Sequence, residues 1–256
     1  MMPKQIQISL VLLLTLVVSF ARVPWASAHR PEEGIDDGLT IIPSPAVSYA
    51  YYQEFDGSSD FHAYTFDAQA GQFFHAGINI PQIEGLEAYG VTLALLGPGL
   101  PAMEVGIFSQ PHSHSSQEAG DSHAHEAAFE VPNWLNLDDL GGIVVENQPG
   151  DDFFEPFTQT NYWGRQVLEL TLPETGRYYL LVWNPDKEPG KYVLDTGREE
   201  VFGPADVLRF PIWWLNTRLY FEQGPALFGA FSAVFFGIAG LVVYRRRKNN
   251  YESTEK

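Results

Sequence analysis

The sequence predicts an all-β protein: an antiparallel β-sandwich or jelly-roll ectodomain followed by one C-terminal transmembrane helix. Three observations predict this fold class. Short runs rich in Tyr, Phe, Val, Leu and Ile alternate with turn signals such as DG (56–57) and GPG (97–99). Long helical periodicity is confined to the C-terminal end. An uncharged run there, 224–244, is long enough to cross a bilayer as a helix.

Seven runs carry the strand pattern, and two segments interrupt it. The predicted strands are 47–55, 61–66, 72–80, 91–96, 166–172, 177–183 and 191–195. The first interruption, 108–130, is a polar insertion rich in His, Ser, Glu and Ala, and the second, 138–163, is loop-like with mixed acids and aromatics. Loops of this length in a compact domain are usually functional or disordered.

The N-terminal segment, 1–28, has the features of a signal peptide. Lys4 supplies a positive start, 8–20 is an apolar run, and the segment ends in the small-x-small pattern ASA (26–28). Cleavage after that tripeptide makes His29 the first residue of the mature chain. The alternative interpretation is an uncleaved N-terminal anchor.

The C-terminal segment predicts a single-pass protein of the cytoplasmic membrane. The ectodomain, 29–205, leads through a juxtamembrane amphipathic segment, 206–223, into the span at 224–244. The tail, 245–256, begins with the basic run RRRK. Positive charge marks the cytoplasmic side, so the N-terminus is expected outside, extracellular or periplasmic, and the C-terminus in the cytoplasm.

Small residues recur on one side of the predicted span, at Gly229, Ala233 and Gly237. This spacing lets two membrane helices approach closely and predicts a homodimer. The alternative is that small residues are simply common in membrane helices.

The charge and the cysteine content of the chain argue against some classes of function. Residues 29–223 hold 30 Asp and Glu against 8 Lys and Arg, which leaves a formal charge of −22. Such a surface repels nucleic acid and attracts cations and basic partners, although acidity also serves solubility alone. The chain contains no Cys, which excludes thiol catalysis and thiolate metal sites.

Four strand motifs occur in the order AYTFDAQAGQ (63–72), LALLGP (93–98), GRYYLLV (176–182) and GKYVL (190–194). Together they resemble the strand signatures of pre-peptidase C-terminal-type β-sandwich domains, and the layout of signal, sandwich and C-terminal anchor resembles that of exported bacterial membrane proteins. The resemblance implies a non-catalytic accessory domain of surface or secreted proteins. It supplies no catalytic residues, and the long insertions depart from a compact domain of that type.

The polar insertion carries two His-x-His pairs, His112 with His114 and His123 with His125. Residues i and i+2 of an extended segment point the same way, so each pair can present two imidazoles together. Imidazole suits Cu, Zn and Ni. Two other interpretations stay open: a solvated low-complexity loop with incidental metal affinity, and a pH-sensing loop.

His29 is a further candidate ligand. As a mature N-terminal residue it offers its α-amino group and its imidazole to one ion, the arrangement found in exported copper proteins with a histidine brace. Another His is needed nearby, and His62, His75 or the insertion are the candidates. The alternative is that the residue after the cleavage site is arbitrary.

The last candidate is the ligand loop around Asp151, Asp152, Glu155 and Trp163. Closely spaced carboxylates can gather around Ca²⁺, and aromatics beside acids can stack on sugar rings. The plainest alternative is that the aromatics close the edge of the sandwich.

No complete enzyme motif occurs, so the sequence predicts a protein that is not an enzyme. The leading hypothesis is a membrane-anchored extracytoplasmic β-sandwich that binds Cu, Zn or Ni through its His-rich loop. The alternatives are a surface module that binds protein or glycan, and a purely structural envelope protein.

Overall fold

The computed structural model describes residues 29–32, 34–35, 38–57, 61–102, 108–109, 129–130, 135 and 140–254. They form thirteen β-strands followed by two helices. The strands are β1 (Arg30–Glu32), β2 (Leu39–Ile41), β3 (Tyr49–Phe55), β4 (His62–Ala68), β5 (Phe73–Pro81), β6 (Thr92–Gly97), β7 (Phe108–Ser109), β8 (Phe129–Glu130), β9 (Gly141–Val145), β10 (Asp152–Glu155), β11 (Thr160–Thr171), β12 (Gly176–Trp183) and β13 (Gly190–Thr196). The helices are α1 (Pro204–Tyr220) and α2 (Gly224–Thr254).

The strands form two main sheets. Sheet A has six strands in the order β1-β3-β13-β5-β11-β10, and sheet B has five in the order β2-β4-β12-β6-β9. Pairing is antiparallel except for β1 on β3 and β2 on β4, which are parallel at one edge of each sheet. The short strands β7 and β8 pair with each other, so the two ends of the His-rich insertion lie side by side. The predicted β-sandwich is therefore confirmed.

The core lies between the inner faces of the two sheets. Phe74, Ile78, Leu95 and Leu180 are fully buried there, and Phe66 stacks on Phe74 with ring centroids 4.5 Å apart. Burial of each such side chain stabilises the folded state by about 1.5–3 kcal/mol, and the sum lets the sandwich fold without disulfides. These residues belong to the short apolar or alternating runs that predicted the seven strands.

A second apolar cluster covers the other face of sheet B. Ala94 and Leu96 of β6 and Leu181 of β12 pack there against Leu135, which is 2% exposed. β6 is buried on both faces as a result, and its sequence is a continuous apolar run rather than an alternating one.

The segment 138–163 differs from the predicted loop. It contains β9, β10 and the start of β11. Gly141 and Gly142 begin β9, and β10 has an acid at each end, so neither strand shows the apolar pattern by which the others were recognised. The three-residue strands β1 and β2 were also not predicted, because a run that short carries no periodicity.

The helical unit follows the sandwich. Helix α1 starts with Pro204 in its first turn, and the Asp206 carboxylate accepts a hydrogen bond from the backbone N–H of Gly203 at 2.7 Å. It continues through Pro211. Within the described residues one helix is long and apolar enough to cross a membrane, α2, whose stretch Leu227–Arg245 has a mean hydropathy of 2.1. The predicted signal peptide, 1–28, lies outside the described residues.

The predicted dimerisation stripe lies on α2. A Cβ atom added at Gly229 or Gly237 would meet nothing within 4 Å, and Ala233 is exposed. The surface needed for close approach of a second helix is therefore open, and the homodimer stays a prediction.

Candidate functional site

A polar cluster occupies the outer face of sheet A, the face turned away from the sandwich core. Its members come from three neighbouring strands. Glu169 of β11 lies directly opposite His75 of β5, and Asp195 of β13 lies opposite Gly77, two residues further along β5. Since side chains two residues apart share a face of a strand, the register places His75 between the two carboxylates. We call His75, Asn79, Glu169 and Asp195 the outer-face cluster.

The outer-face cluster is closely hydrogen-bonded. His75 Nε2 lies 2.7 Å from Asp195 Oδ2, and His75 Nδ1 lies 3.0 Å from Glu169 Oε1. Carboxylates only accept, so the ring nitrogens donate. Asn79 Nδ2 donates to Asp195 Oδ1 at 2.6 Å, and Arg198 forms an ion pair with Glu169. The His75 and Asp195 side chains are only 11% and 10% exposed, so this network is substantially shielded from water.

The charged forms of His75 and Asp195 stabilise each other. Burial by itself lowers the pKa of His75, but its hydrogen bonds to Asp195 and Glu169 and the charge of Asp195 outweigh burial, so the pKa lies above its ordinary value of 6.5. Burial by itself raises the pKa of Asp195. The hydrogen bond from His75, the charges of His29 and His75 and the hydrogen bond from Asn79 hold that pKa below its ordinary value of 3.8.

Gly77 makes room for the Asp195 carboxylate. A Cβ atom at Gly77 would lie 2.6 Å from Asp195 Oδ1 and 3.0 Å from Asp195 Oδ2. A larger residue would displace the carboxylate from His75, so the glycine allows the side chain to lie across the sheet.

His29 lies at the same end of sheet A. The Arg30 backbone N–H donates to the Ser48 carbonyl at 3.0 Å, and His29 Nδ1 lies 2.6 Å from Ser48 Oγ. Asp195 pairs with Ala50 of β3, two residues beyond Ser48. The charge of His29 is close enough to contribute to the low pKa of Asp195. Two histidines that are 46 residues apart in sequence therefore both act on one carboxylate.

The outer-face cluster predicts a distinct pH dependence of stability. The raised pKa of His75 means that its contribution is fully present below 6.5 and is lost as pH rises through the folded-state pKa. The lowered pKa of Asp195 means that its contribution is present above 3.8 and is lost as pH falls through the folded-state pKa. The contributions of His75 and Asp195 to stability are therefore both present between pH 3.8 and pH 6.5. We expect His75→Gln to lower the free energy of unfolding by about 1–3 kcal/mol at pH 6, and by less at pH 9.

Urea unfolding of both proteins at a series of pH values, with chelator present, measures this difference. Subtracting the two curves removes the titration of groups that the substitution leaves unchanged. A difference that stays constant from pH 5 to pH 9 would contradict the charged pairing of His75.

The other histidines that the sequence suggested as metal ligands are not part of the outer-face cluster. His112, His114, His123 and His125 lie outside the described residues, so their predicted role stays a prediction. His62, one of the suggested partners of His29, is 1% exposed in the core, where it stacks on Phe55 at 4.3 Å. Of the two single histidines suggested, His75 is the one that shares the outer face with His29.

The predicted ligand loop is a strand pair. Asp152 and Glu155 are three residues apart on β10, so their side chains leave opposite faces of the strand. Asp151, just before β10, is exposed, and Asp152 accepts a hydrogen bond from Gln82 at 3.0 Å. Trp163 packs against the main core.

Among the described residues, no group of three or more His, Asp or Glu side chains is arranged to hold a metal ion. The outer-face cluster offers one His nitrogen beside one carboxylate, with the second carboxylate on the far side of the ring. A metal site there requires at least one further ligand.

No protein-family model and no curated protein matches the chain. Similar solved structures include PliG of Aeromonas hydrophila, a periplasmic inhibitor of g-type lysozyme, which is 15% identical with a TM-score of 0.27 over 65% of this chain and 98% of that chain. The pre-peptidase C-terminal domain of collagenase from Bacillus anthracis is 12% identical with a TM-score of 0.27 over 66% and 97%. CorA, a surface-associated copper-binding protein important in copper acquisition by Methylomicrobium album BG8, is 11% identical with a TM-score of 0.30 over 65% and 100%.

One of these structures is of the domain type that the strand motifs resemble.

Sequence reasoning missed most of the outer-face cluster. Glu169, Asp195 and Asn79 each appear as a polar residue on the exposed face of a strand, which is the ordinary composition of such a face. What distinguishes them is the pairing of β13 and β11 on the two sides of β5. The nearest signal in the sequence was His75, one polar aromatic among apolar neighbours.

Proposed function

We propose that this chain is a non-enzymatic β-sandwich, anchored in the cytoplasmic membrane by α2 and displayed on its outer side, which binds a divalent transition metal ion: Cu, Zn or Ni. The observation that carries the proposal is the contact of His75 with Asp195 on the outer face of sheet A, with His29 held on Ser48, two residues before the strand partner of Asp195. Imidazole nitrogen beside a carboxylate is a ligand combination that suits these ions.

The His-rich insertion adds to this proposal. Its two ends meet where β7 pairs with β8, so the segment between them begins and ends at one place. The four imidazoles of His112, His114, His123 and His125 would then collect metal near the ectodomain surface. The strongly acidic ectodomain raises the local concentration of cations.

The orientation follows from charge. The basic run RRRK (245–248) directly follows the apolar part of α2 and would stay on the cytoplasmic side. The sandwich, which precedes α2, would then lie outside the membrane, where the free ion must be captured. The chain carries no nucleophile or base motif of an enzyme, so capture, buffering or delivery of the ion fits better than catalysis.

A metal titration tests the proposal. We expect the purified mature protein, in detergent, to bind Cu²⁺ or Zn²⁺ by calorimetry at least about tenfold more tightly than a synthetic peptide of 108–130, because a folded site does not lose affinity to ordering entropy. Affinity equal to that of the free peptide would overturn a folded metal site.

A surface module for protein or glycan is the second candidate. Phe153 and Phe154 of β10 are 43% and 56% exposed, and Phe153 stacks on Tyr162 at 5.2 Å. Exposed aromatic rings are common in such binding surfaces. This candidate predicts that the metal titration detects no site beyond weak binding by the insertion.

A further inference from the structure

We propose that His75, Asp195 and the mature N-terminal residue His29 form a single metal site on the outer face of sheet A, which removal of residues 1–28 completes. The ion would be a divalent transition metal with a preference for nitrogen, Cu²⁺ above all. The inference rests on the proposed function, because it names the ligands of the ion that the protein is proposed to bind.

The His75–Asp195 pair has the dimensions of two adjacent metal ligands. Its nitrogen and oxygen atoms lie 2.7 Å apart. Metal–nitrogen and metal–oxygen bonds of about 2.0–2.2 Å, at a right angle, place adjacent ligand atoms about 2.9 Å apart. An ion bound to both atoms would replace the shared proton but would lie about 1.4 Å off the line that joins them, so the imidazole would have to turn while the two ligand atoms separate by a few tenths of an ångström. One proton leaves Nε2 as the ion enters.

The surroundings hold both ligands in orientation. Glu169 accepts from Nδ1 of His75, which directs the Nε2 lone pair toward the ion once its proton has left. Asn79 donates to the second oxygen of Asp195 and leaves the first free for the metal. Arg198 neutralises Glu169, so the negative charge that faces the ion comes from Asp195. Metal-binding histidines are commonly oriented by a carboxylate in this way.

The missing ligands come from the N-terminus. Cleavage before His29 creates an α-amino group that can chelate an ion together with Nδ1 of the same residue. That Nδ1 now lies 2.6 Å from Ser48 Oγ, and Ser48 directly precedes β3, the strand next to β13. Since the described residues contain no group of three ready ligands, the His29 ring must turn from Ser48 toward Asp195. The completed set is three nitrogens and one oxygen, which suits the tetragonal preference of Cu²⁺.

The experiment uses the full chain, secreted and processed, in detergent, with the N-terminus verified by mass spectrometry. Residues 110–126 are deleted so that the His-rich insertion contributes nothing. Cu²⁺ and Zn²⁺ alone are titrated by calorimetry, and the Cu²⁺ complex is recorded by electron paramagnetic resonance. We expect one ion per chain with a three-nitrogen, one-oxygen spectrum.

Three changes should each weaken binding by about tenfold or more. They are Asp195→Asn, His75→Gln, and one Ala inserted before His29, which moves the α-amino group and keeps the imidazole. The inserted Ala lies before the first strand, so that variant tests the site even where a substitution impairs folding.

Asp67→Asn is the matched control, because Asp67 also accepts hydrogen bonds from a cation, Arg177, but lies on sheet B. We expect its affinity to be unchanged.

The outcomes separate the two proposals. Unchanged affinity and spectrum in all three variants would overturn this site while leaving the proposed function in place. Loss of all binding on deletion of 110–126 alone would place the ion in the insertion and would also overturn this site. Absence of tight binding in the undeleted protein would overturn both proposals.

Discussion

Phe74→Ala is expected to lower the free energy of unfolding by about 3–5 kcal/mol. Phe74 is fully buried between the two sheets and stacks on Phe66 at 4.5 Å, with the two ring planes 18° apart. Truncation removes the ring from an apolar environment and leaves a cavity that the surrounding strands of both sheets cannot fill. Urea unfolding of the full chain in detergent, followed by near-UV circular dichroism, measures the loss.

The neighbouring residue provides a matched control. Phe73 precedes Phe74 on β5 but faces outward, is 47% exposed and lies 5.8 Å from the Arg198 guanidinium. Phe73→Ala should lower the free energy of unfolding by about 1 kcal/mol or less, since it removes only a partly buried ring and one exposed cation–π contact. Similar losses for both variants would contradict the register of β5, because a slip by one residue exchanges its two faces.

Gly197→Ala is expected to destabilise the fold by about 3 kcal/mol or more, through two effects that add. Gly197 has a φ of +63°, a left-handed conformation that costs other residues about 1–2 kcal/mol. An added Cβ atom would also lie 2.2 Å from the Val47 carbonyl oxygen. Backbone must move to relieve this contact.

The surrounding hydrogen bonds oppose that movement. The Gly197 N–H donates to the His75 carbonyl at 3.0 Å, and the N–H groups of Arg198 and Glu199 donate to the Ala46 carbonyl at 2.9 and 2.8 Å. A shift that relieves the clash breaks some of these bonds. It also moves Arg198 away from the outer-face cluster.

Gly71→Ala separates the two effects. Gly71 has a φ of +84°, and an added Cβ atom would meet nothing within 4 Å. We expect the left-handed backbone conformation alone to lower the free energy of unfolding by about 1–2 kcal/mol. The same urea unfolding assay measures it. Equal losses at both positions would show that the contact with Val47 is relieved at little cost.

Local patterning was sufficient to predict most of the sandwich. The runs that became β3, β5 and β12 are short, apolar or alternating, and bounded by turn signals, and a pattern of that kind depends on near neighbours alone. The strands β9 and β10 lack it, because glycine and exposed acids form them by pairing with β6 and β11. The partner of β9 lies far away in the chain, whereas β10 forms a hairpin with the start of β11.

The sequence by itself determined that the chain has a strand-rich ectodomain of charge −22, no Cys and an apolar C-terminal segment, because composition and short-range periodicity are local properties. It also singled out His29 and His75 as residue types able to bind metal. Only the tertiary structure decided that His75 lies between Glu169 and Asp195, and that His62 lies in the core. The physical reason is that strand order and register bring together residues such as His75 and Asp195, which are 120 positions apart, and no local pattern encodes that pairing.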